Sequence, residues 1–169
     1  MTTINRMKKL LLELLKNSHR SDRQLAREMG MSQPTITRTR NKLEKNGWIK
    51  EYTIVPNFEK MDIQLIVITA FKTHWKKESV EKGRKASMAC PNVIFSARAE
   101  GMGGRNVVVI SLHRDYPSYA DFIENIMKEY ADDIESYDTL LVSLKGGVAK
   151  SLSLSYLAEL LSERINSIS

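Results

Sequence analysis

A single cysteine, Cys90, occurs in 169 residues, which excludes an internal disulfide framework and any metal site built from several thiolates. No stretch approaches the roughly 18 consecutive apolar residues of a membrane span. The apolar N-terminal segment is interrupted by Lys8, Lys9, Glu13 and Lys16, so it reads as an amphipathic helix rather than a signal peptide. A reducing, cytoplasmic setting is expected. The three histidines, His19, His74 and His113, are far apart and lack carboxylates or thiols at ligand spacing, so no metal site is expected. No phosphate-binding loop, glycine fingerprint after a strand, or serine elbow is present. The expectation is therefore a protein that is not an enzyme and needs no cofactor. What the chain does contain is ordinary for a folded globular protein, with 42% hydrophobic and 27% charged residues, and its length suits one or two small domains. Net charge is +6, which favours an acidic partner.

That charge is unevenly placed. Residues 1–60 hold thirteen basic residues against six acidic ones, a net +7, whereas residues 61–169 hold thirteen against fourteen, a net −1. Two readings fit: a solvated basic face, or a nucleic-acid-binding module joined to a near-neutral one. Periodicity discriminates between them.

Ile4, Met7, Leu11 and Leu14 recur at helical spacing, widened by Leu10 and Leu15, and predict an amphipathic helix over 3–17. Asn17 to Arg20 breaks it. Ser21-Asp22-Arg23-Gln24 has the capping-box pattern, Leu25, Ala26 and Met29 supply a buried face, and Gly30 ends this short helix. Ser32 offers a new N-cap with Pro34 in the first turn, and a third helix runs to Asn46 with Gly47 as its stop. Two capped helices joined by a short glycine turn form a helix-turn-helix. Trp48–Val55 reads as the strand of a wing. The third helix is poor in apolar residues and rich in amide, hydroxyl and guanidinium groups. Gln33, Thr37, Arg38 and Asn41 are of the types that read base edges. Ser32, Thr35, Arg40, Lys42 and Lys45 add groups suited to phosphates. Double-stranded DNA is the expected partner.

The stretch from Leu11 to Met61 resembles the DNA-binding half of the Lrp/AsnC transcription regulators. The resemblance rests on Leu25-Ala26, Met31-Ser32, Leu43-Glu44 and Gly47-Trp48-Ile49. One departure sits in mid-helix, where the family has an arginine followed by a branched apolar residue and this chain has Thr39-Arg40. Either Thr39 packs inward and Arg40 points out, or Arg40 lies along the core with its head in solvent.

Beyond the linker at 56–62, Ile63–Phe71 reads as a central strand buried on both faces. Lys76–Ala89 reads as a helix with Val80, Gly83, Ala86 and Cys90 on one side, Cys90 being a small buried residue. Val93 to Glu100 alternates as a strand, Gly101–Asn106 turns, and Val107–His113 returns. Asp115 caps a helix carrying Phe122, Ile123, Ile126, Met127 and Tyr130, and Ile134–Leu144 is a fourth strand. The order βαββαβ is ferredoxin-like. The fold class is therefore α+β: a winged helix-turn-helix domain over 1–55, a ferredoxin-like domain over 63–148 and a C-terminal helix over 149–169. That helix carries Leu157, Leu160, Leu161, Ile165 and Ile168, and it docks on its own chain or exchanges onto a partner.

The family resemblance extends over roughly 4–148. It implies a homodimer formed through the sheets, with tetramers or octamers built from it, and a small-molecule effector such as an amino acid held near Gly101, Gly103, Gly104 and Arg105. Relatives carry an aromatic-Asp pair after the first glycine, where this chain has Gly103-Gly104-Arg105; a hairpin needing left-handed residues explains the glycines equally. Two other functions remain in view. One is a DNA-organising protein of low specificity. The other is an enzyme like the sirohaem decarboxylases of the same architecture, which carry a basic pair where this chain has Lys50-Glu51.

Overall fold

The computed structural model describes residues 2–74 and 76–166. Ile168 lies outside them, as does the side chain of Ile165. The chain divides into two compact units, Met1–Val55 with Ser151–Ser169, and Pro56–Lys150.

In the first unit, α1 spans Thr3–Lys16, α2 Asp22–Met29 and α3 Gln33–Lys45. Met7, Leu10 and Leu14 of α1 meet Leu25, Ala26, Ile36 and Leu43 in one core, with Met29 and Ile49 at its margin. Two details differ from the predicted stripe. Ile4 is 58% exposed, because the core begins one turn further in, at Met7. Leu12 is buried although it lies on the side of α1 away from Leu10. That second side is where a C-terminal helix, α6 (Leu157–Asn166), packs on α1 together with the turn Leu154–Tyr156. Ala158 of α6 is fully buried. Of the two alternatives for the C-terminal helix, the structure has it on its own chain.

The wing strand predicted for Trp48–Val55 is not formed, and residues 49–57 have no regular structure. A strand requires a neighbour to pair with, and the described residues of this unit contain none. Gly47, at φ 69°, instead turns the chain back so that the Trp48 and Ile49 amides both donate to the Leu43 carbonyl. Ile54 is left 82% exposed.

The second unit contains β1 (Leu65–Thr73), α4 (Lys77–Ala89), β2 (Val93–Arg98), β3 (Val107–His113), α5 (Tyr116–Glu129) and β4 (Ile134–Ser143). The four strands form an antiparallel sheet in the order β2-β3-β1-β4. This is the ferredoxin-like arrangement. Strand β1 starts two residues later than predicted, since the Ile63 amide is held in a turn by the Phe58 carbonyl. It is also not buried on both faces. Val67, Thr69 and Phe71 are covered, with Val109 of β3 and Tyr119 and Ile123 of α5. Ile66, Ile68 and Ala70 on the other face are only half-buried. A register shift between Val93 and Phe95 breaks the alternation read along β2. Val93 pairs with Ser111 and joins the core, while Phe95 pairs with Ile110 on the opposite face and is 51% exposed.

Candidate nucleic-acid interface

Helix α2 begins with the capping box read from the sequence. The Gln24 amide donates to Ser21 Oγ at 3.3 Å, and the Ser21 amide donates to Gln24 Oε1 at 2.8 Å. Gly30, at φ 63°, ends the helix in the left-handed conformation that a β-carbon disfavours. Ser32 takes the N-cap position of α3 without capping it: its hydroxyl pairs with the Thr35 hydroxyl at 2.8 Å. Pro34 lies in the first turn, where its lack of an N–H is of little consequence.

The faces of α3 divide by partner. Ile36, Thr39 and Leu43 are buried, and the Thr39 hydroxyl donates to the Thr35 carbonyl at 2.7 Å. Thr39 therefore packs inward, as one of the two alternatives had it, but Arg40 does not then point out to a ligand. Its Nε donates to Asp22 Oδ1 at 2.8 Å, its Nη2 faces the Arg20 carbonyl at 3.4 Å, and its guanidinium lies 5.9 Å from the Tyr52 ring centroid. The side chain is 17% exposed. Burial opposes its charge, yet hydrogen bonds to Tyr52 and Asp22 raise its pKa further. Thr37 reaches the same carboxylate, donating to Asp22 Oδ2 at 2.6 Å. Asp22 thus clamps α3 to the start of α2. Tyr52, whose hydroxyl donates to Glu44 Oε1 at 2.8 Å, closes the cluster from the segment after α3. Arg40 and Thr37, both expected to face DNA, are thus engaged by Asp22 within the fold, although Thr37 remains exposed.

Gln33, Arg38, Asn41, Lys42 and Lys45 behave differently. All are exposed, and none makes a side-chain hydrogen bond or ion pair among the described residues. Positions 38, 41, 42 and 45 are three or four residues apart and therefore share one face. Their donors are directed at solvent by default, since the opposite face is fixed by Ile36 and Leu43. Two further cations, Arg23 and Arg27 on α2, are exposed in the same unpartnered state. They were not singled out above, although their placement opposite Leu25 and Ala26 could have shown them. Arg20, by contrast, is held by Glu13 at 3.0 Å and by Glu28, joining α1 to α2. Basic residues in this unit thus separate into those that hold the helices together and those left for a partner.

The glycine turn is held by hydrogen bonds to its own chain. Gly103 and Gly104 have φ of 66° and 74°, and the Gly101 amide donates to the Arg105 carbonyl at 3.1 Å. Arg105 Nε donates to Asp138 Oδ2 at 2.8 Å and Nη1 to Ser136 Oγ at 2.9 Å. Asn106 exchanges hydrogen bonds with Thr73, through Oδ1 at 3.0 Å and Nδ2 at 2.8 Å. The glycines and Arg105 therefore close a hairpin against β1 and β4, beside a cavity of about 280 Å³ lined by Arg98, Glu100, Gly101, Gly104, Arg105 and Asn106.

His113 is fully buried against Tyr119 and Phe122, with Nε2 2.8 Å from Ser111 Oγ and Nδ1 without a partner. Burial pushes its pKa below the ordinary histidine value. Its place is a core. Cys90 is partly exposed rather than buried. No helix is long and apolar enough to cross a membrane among the described residues.

Comparison with known proteins follows the same division. A family model described as winged helix-turn-helix DNA-binding matches residues 5–50. An uncharacterised HTH-type transcriptional regulator of Pyrococcus furiosus is 27% identical over 149 residues, 83% of this chain and 95% of that one. Among solved structures, an AsnC family transcriptional regulator from Agrobacterium tumefaciens superposes with a TM-score of 0.73 at 18% identity, covering 90% of this chain and 98% of that one. A Neisseria meningitidis transcriptional regulator in complex with L-Met gives 0.72 at 16% identity, covering 89% and 96%. At these identities the two structures establish that the fold is shared along nearly the whole chain.

Proposed function

We propose that this chain is a helix-turn-helix transcription regulator of the Lrp/AsnC type that binds specific sequences of double-stranded DNA as a homodimer or larger assembly, a reading supported by the winged helix-turn-helix match over residues 5–50 and by the transcriptional regulators it is similar to. One observation carries the reading. The solvent face of α3 presents Gln33, Arg38, Asn41, Lys42 and Lys45 together, and none of them has a partner among the described residues. Guanidinium and amide groups suit the edges of guanine and adenine in the major groove. Lys42 and Lys45, with Arg23 and Arg27 of α2, suit the phosphates, because the first helix of such a pair crosses the backbone while the second enters the groove. Ser32 and Thr35, at the start of α3, fall where a phosphate approaches a helix N-terminus.

A second copy is proposed on the uncovered face of the sheet. Phe95, Leu140 and Val142 are exposed there, Leu140 at 61%, beside half-buried Ile66, Ile68 and Ile110. A contiguous apolar surface of this kind favours association. Two-fold pairing would then give half-sites one helical turn of about 34 Å apart, or a multiple of it.

The test is selection from a random duplex library by the purified chain at about 150 mM salt, where loose phosphate binding is suppressed. Enrichment of a two-fold symmetric motif is the expected result. DNA retained without any enriched sequence would replace this reading with that of a DNA-organising protein, and no retention would overturn it.

A further inference from the structure

Helix α4 lies beside the sheet with none of its residues buried. Between it and β1, β2, β3 and α5 is a cavity of about 550 Å³. Phe71, Val107, Val109, Phe122 and Ile126 line one side, and α4 lines the other with Val80, Gly83, Ala86 and Cys90. The lining residues of this second side run from Ser79 to Cys90, about three turns or roughly 16 Å of helix, so the space is long for its volume. It opens beside Met88, which lines it and is 75% exposed. The size and the mainly apolar lining are those of a small-molecule site.

The charged groups at its margin are Arg84, Arg98 and Asp133, and each is engaged within the chain. Arg84 donates twice to Glu81, from Nε at 3.1 Å and from Nη2 at 2.8 Å. Asp133 accepts from Ser79 Oγ at 2.6 Å and from Lys82 Nζ at 3.2 Å. Arg98 faces Glu100 at 3.9 Å and has a further partner. The neighbouring hydroxyls are paired as well, Ser87 with Ser96 at 3.1 Å and Thr73 with Asn106 Oδ1 at 3.0 Å. A charged ligand would therefore enter an apolar space that holds no uncommitted counter-charge, and burying an unpaired charge is costly. An uncharged hydrocarbon makes no such demand, and apolar cavities in proteins accept such molecules.

Gly83 sets the room along the α4 wall. Its backbone does not have the positive φ that calls for glycine, and a β-carbon built on it would meet nothing within 4 Å. Glycine inside a helix is unfavourable relative to alanine, so neither conformation nor close packing requires it here. Its effect is to widen the cavity.

We propose that the space between α4 and the sheet binds one elongated, uncharged aliphatic molecule, its hydrocarbon body lying along α4 between Val80 and Cys90 and its end at the opening beside Met88. This site does not depend on the DNA reading, because its test measures ligand and thiol rather than DNA.

Cys90 lines the cavity and is the only thiol in the chain, so its reaction with a disulfide reagent reports occupancy directly. Decanol, titrated into the full chain below its solubility limit, is expected to bind saturably at one per chain and to slow the Cys90 reaction about tenfold. Decanoate, of the same length but ionised at neutral pH, is expected to bind about tenfold more weakly. Gly83→Leu is expected to abolish decanol binding with the far-ultraviolet circular dichroism retained. Lys85→Leu places the same side chain on an exposed position of α4 outside the cavity lining, and is expected to keep the wild-type affinity. Absence of saturable decanol binding, or an unchanged Cys90 rate at saturation, would overturn the proposal. So would decanoate binding as tightly as decanol, wild-type affinity in Gly83→Leu, or an equal loss in Lys85→Leu.

Discussion

Arg38 and Arg40 are two residues apart on α3, yet Arg38 is exposed and unpaired while Arg40 is held by Asp22, and exchanging each for alanine should separate them. Arg40 Nε and Thr37 Oγ1 both donate to the Asp22 carboxylate, at 2.8 and 2.6 Å, and the two charged side chains of the pair are 17% and 20% exposed. An exposed ion pair contributes at most about 1 kcal/mol, and breaking a buried one costs about 3–5 kcal/mol. A pair mostly covered but still wetted belongs near the lower bound, so Arg40→Ala should destabilise the first unit by about 1–2 kcal/mol. For a unit of this size that is a fall in melting temperature on the order of 4–8 °C per kcal/mol. Asp22→Ala should cost slightly more, since it also leaves Thr37 unpaired and removes an acidic group from the first turn of α2. In a double-mutant cycle the two changes should couple by about 1 kcal/mol. The assay is urea unfolding followed by Trp48 fluorescence in a Trp75→Phe background, which leaves one tryptophan, in the first unit. Arg38→Ala should leave that midpoint unmoved. If Arg40→Ala also left it unmoved and instead weakened specific DNA binding, the clamp argument would be wrong and Arg40 would be a DNA contact.

On DNA, Arg38→Ala should weaken binding to the selected sequence by about 1–3 kcal/mol with little change on random duplex, the pattern of a lost bidentate base contact; equal losses on both would refute base reading. Lys45→Ala should lower both affinities together and reduce the slope of log affinity against log salt by about one, as one phosphate contact is removed, which filter binding between 50 and 200 mM salt would measure. His113 should make the second unit acid-sensitive. Its folded-state pKa is lowered by burial, so below the unfolded value near 6.5 the unfolded chain takes up the proton first. Stability is then complete above about pH 6.5 and declines as pH falls toward the lowered folded pKa. Urea midpoints at pH 7.5 and 5.5 should diverge in the wild type and converge in His113→Gln; a pH-independent difference between the two proteins would count against this account.

What could be read from the sequence was what is settled within one helical turn or one strand. The Ser21–Gln24 capping box and the left-handed Gly30 appear as predicted because every atom involved lies within a few residues. The βαββαβ order followed from periodicity alone, since each element turns one apolar face inward, even α4, which buries no residue. The failures share one cause, which is dependence on a partner distant in sequence. Trp48–Val55 has strand composition but no ladder to join. The alternation along β2 is broken by a register shift against β3 that only the pairing reveals. Leu12 is buried because a helix nearly 150 residues later packs on α1.

The same dependence limits what charge counting conveys about the DNA-facing surface. The +7 of the first sixty residues treats Arg20, Arg38 and Arg40 alike. Arg20 is engaged by Glu13 and Glu28, Arg40 by Asp22 eighteen positions earlier, and only Arg38 is left for a ligand. Each engaged arginine removes a donor from the surface and fixes the orientation of the helix that carries the rest. The cations of this helix-turn-helix therefore fall into two groups: some fix α3 against α2, and the others stay exposed for the DNA contact proposed above. Helix α4 shows the counterpart for apolar residues. The spacing of Val80, Gly83, Ala86 and Cys90 identifies the face turned to the sheet, but periodicity conveys direction and not distance. Side chains this small leave a cavity beside the sheet, although Ser79, Lys82 and Ser87 tie the helix to its neighbours.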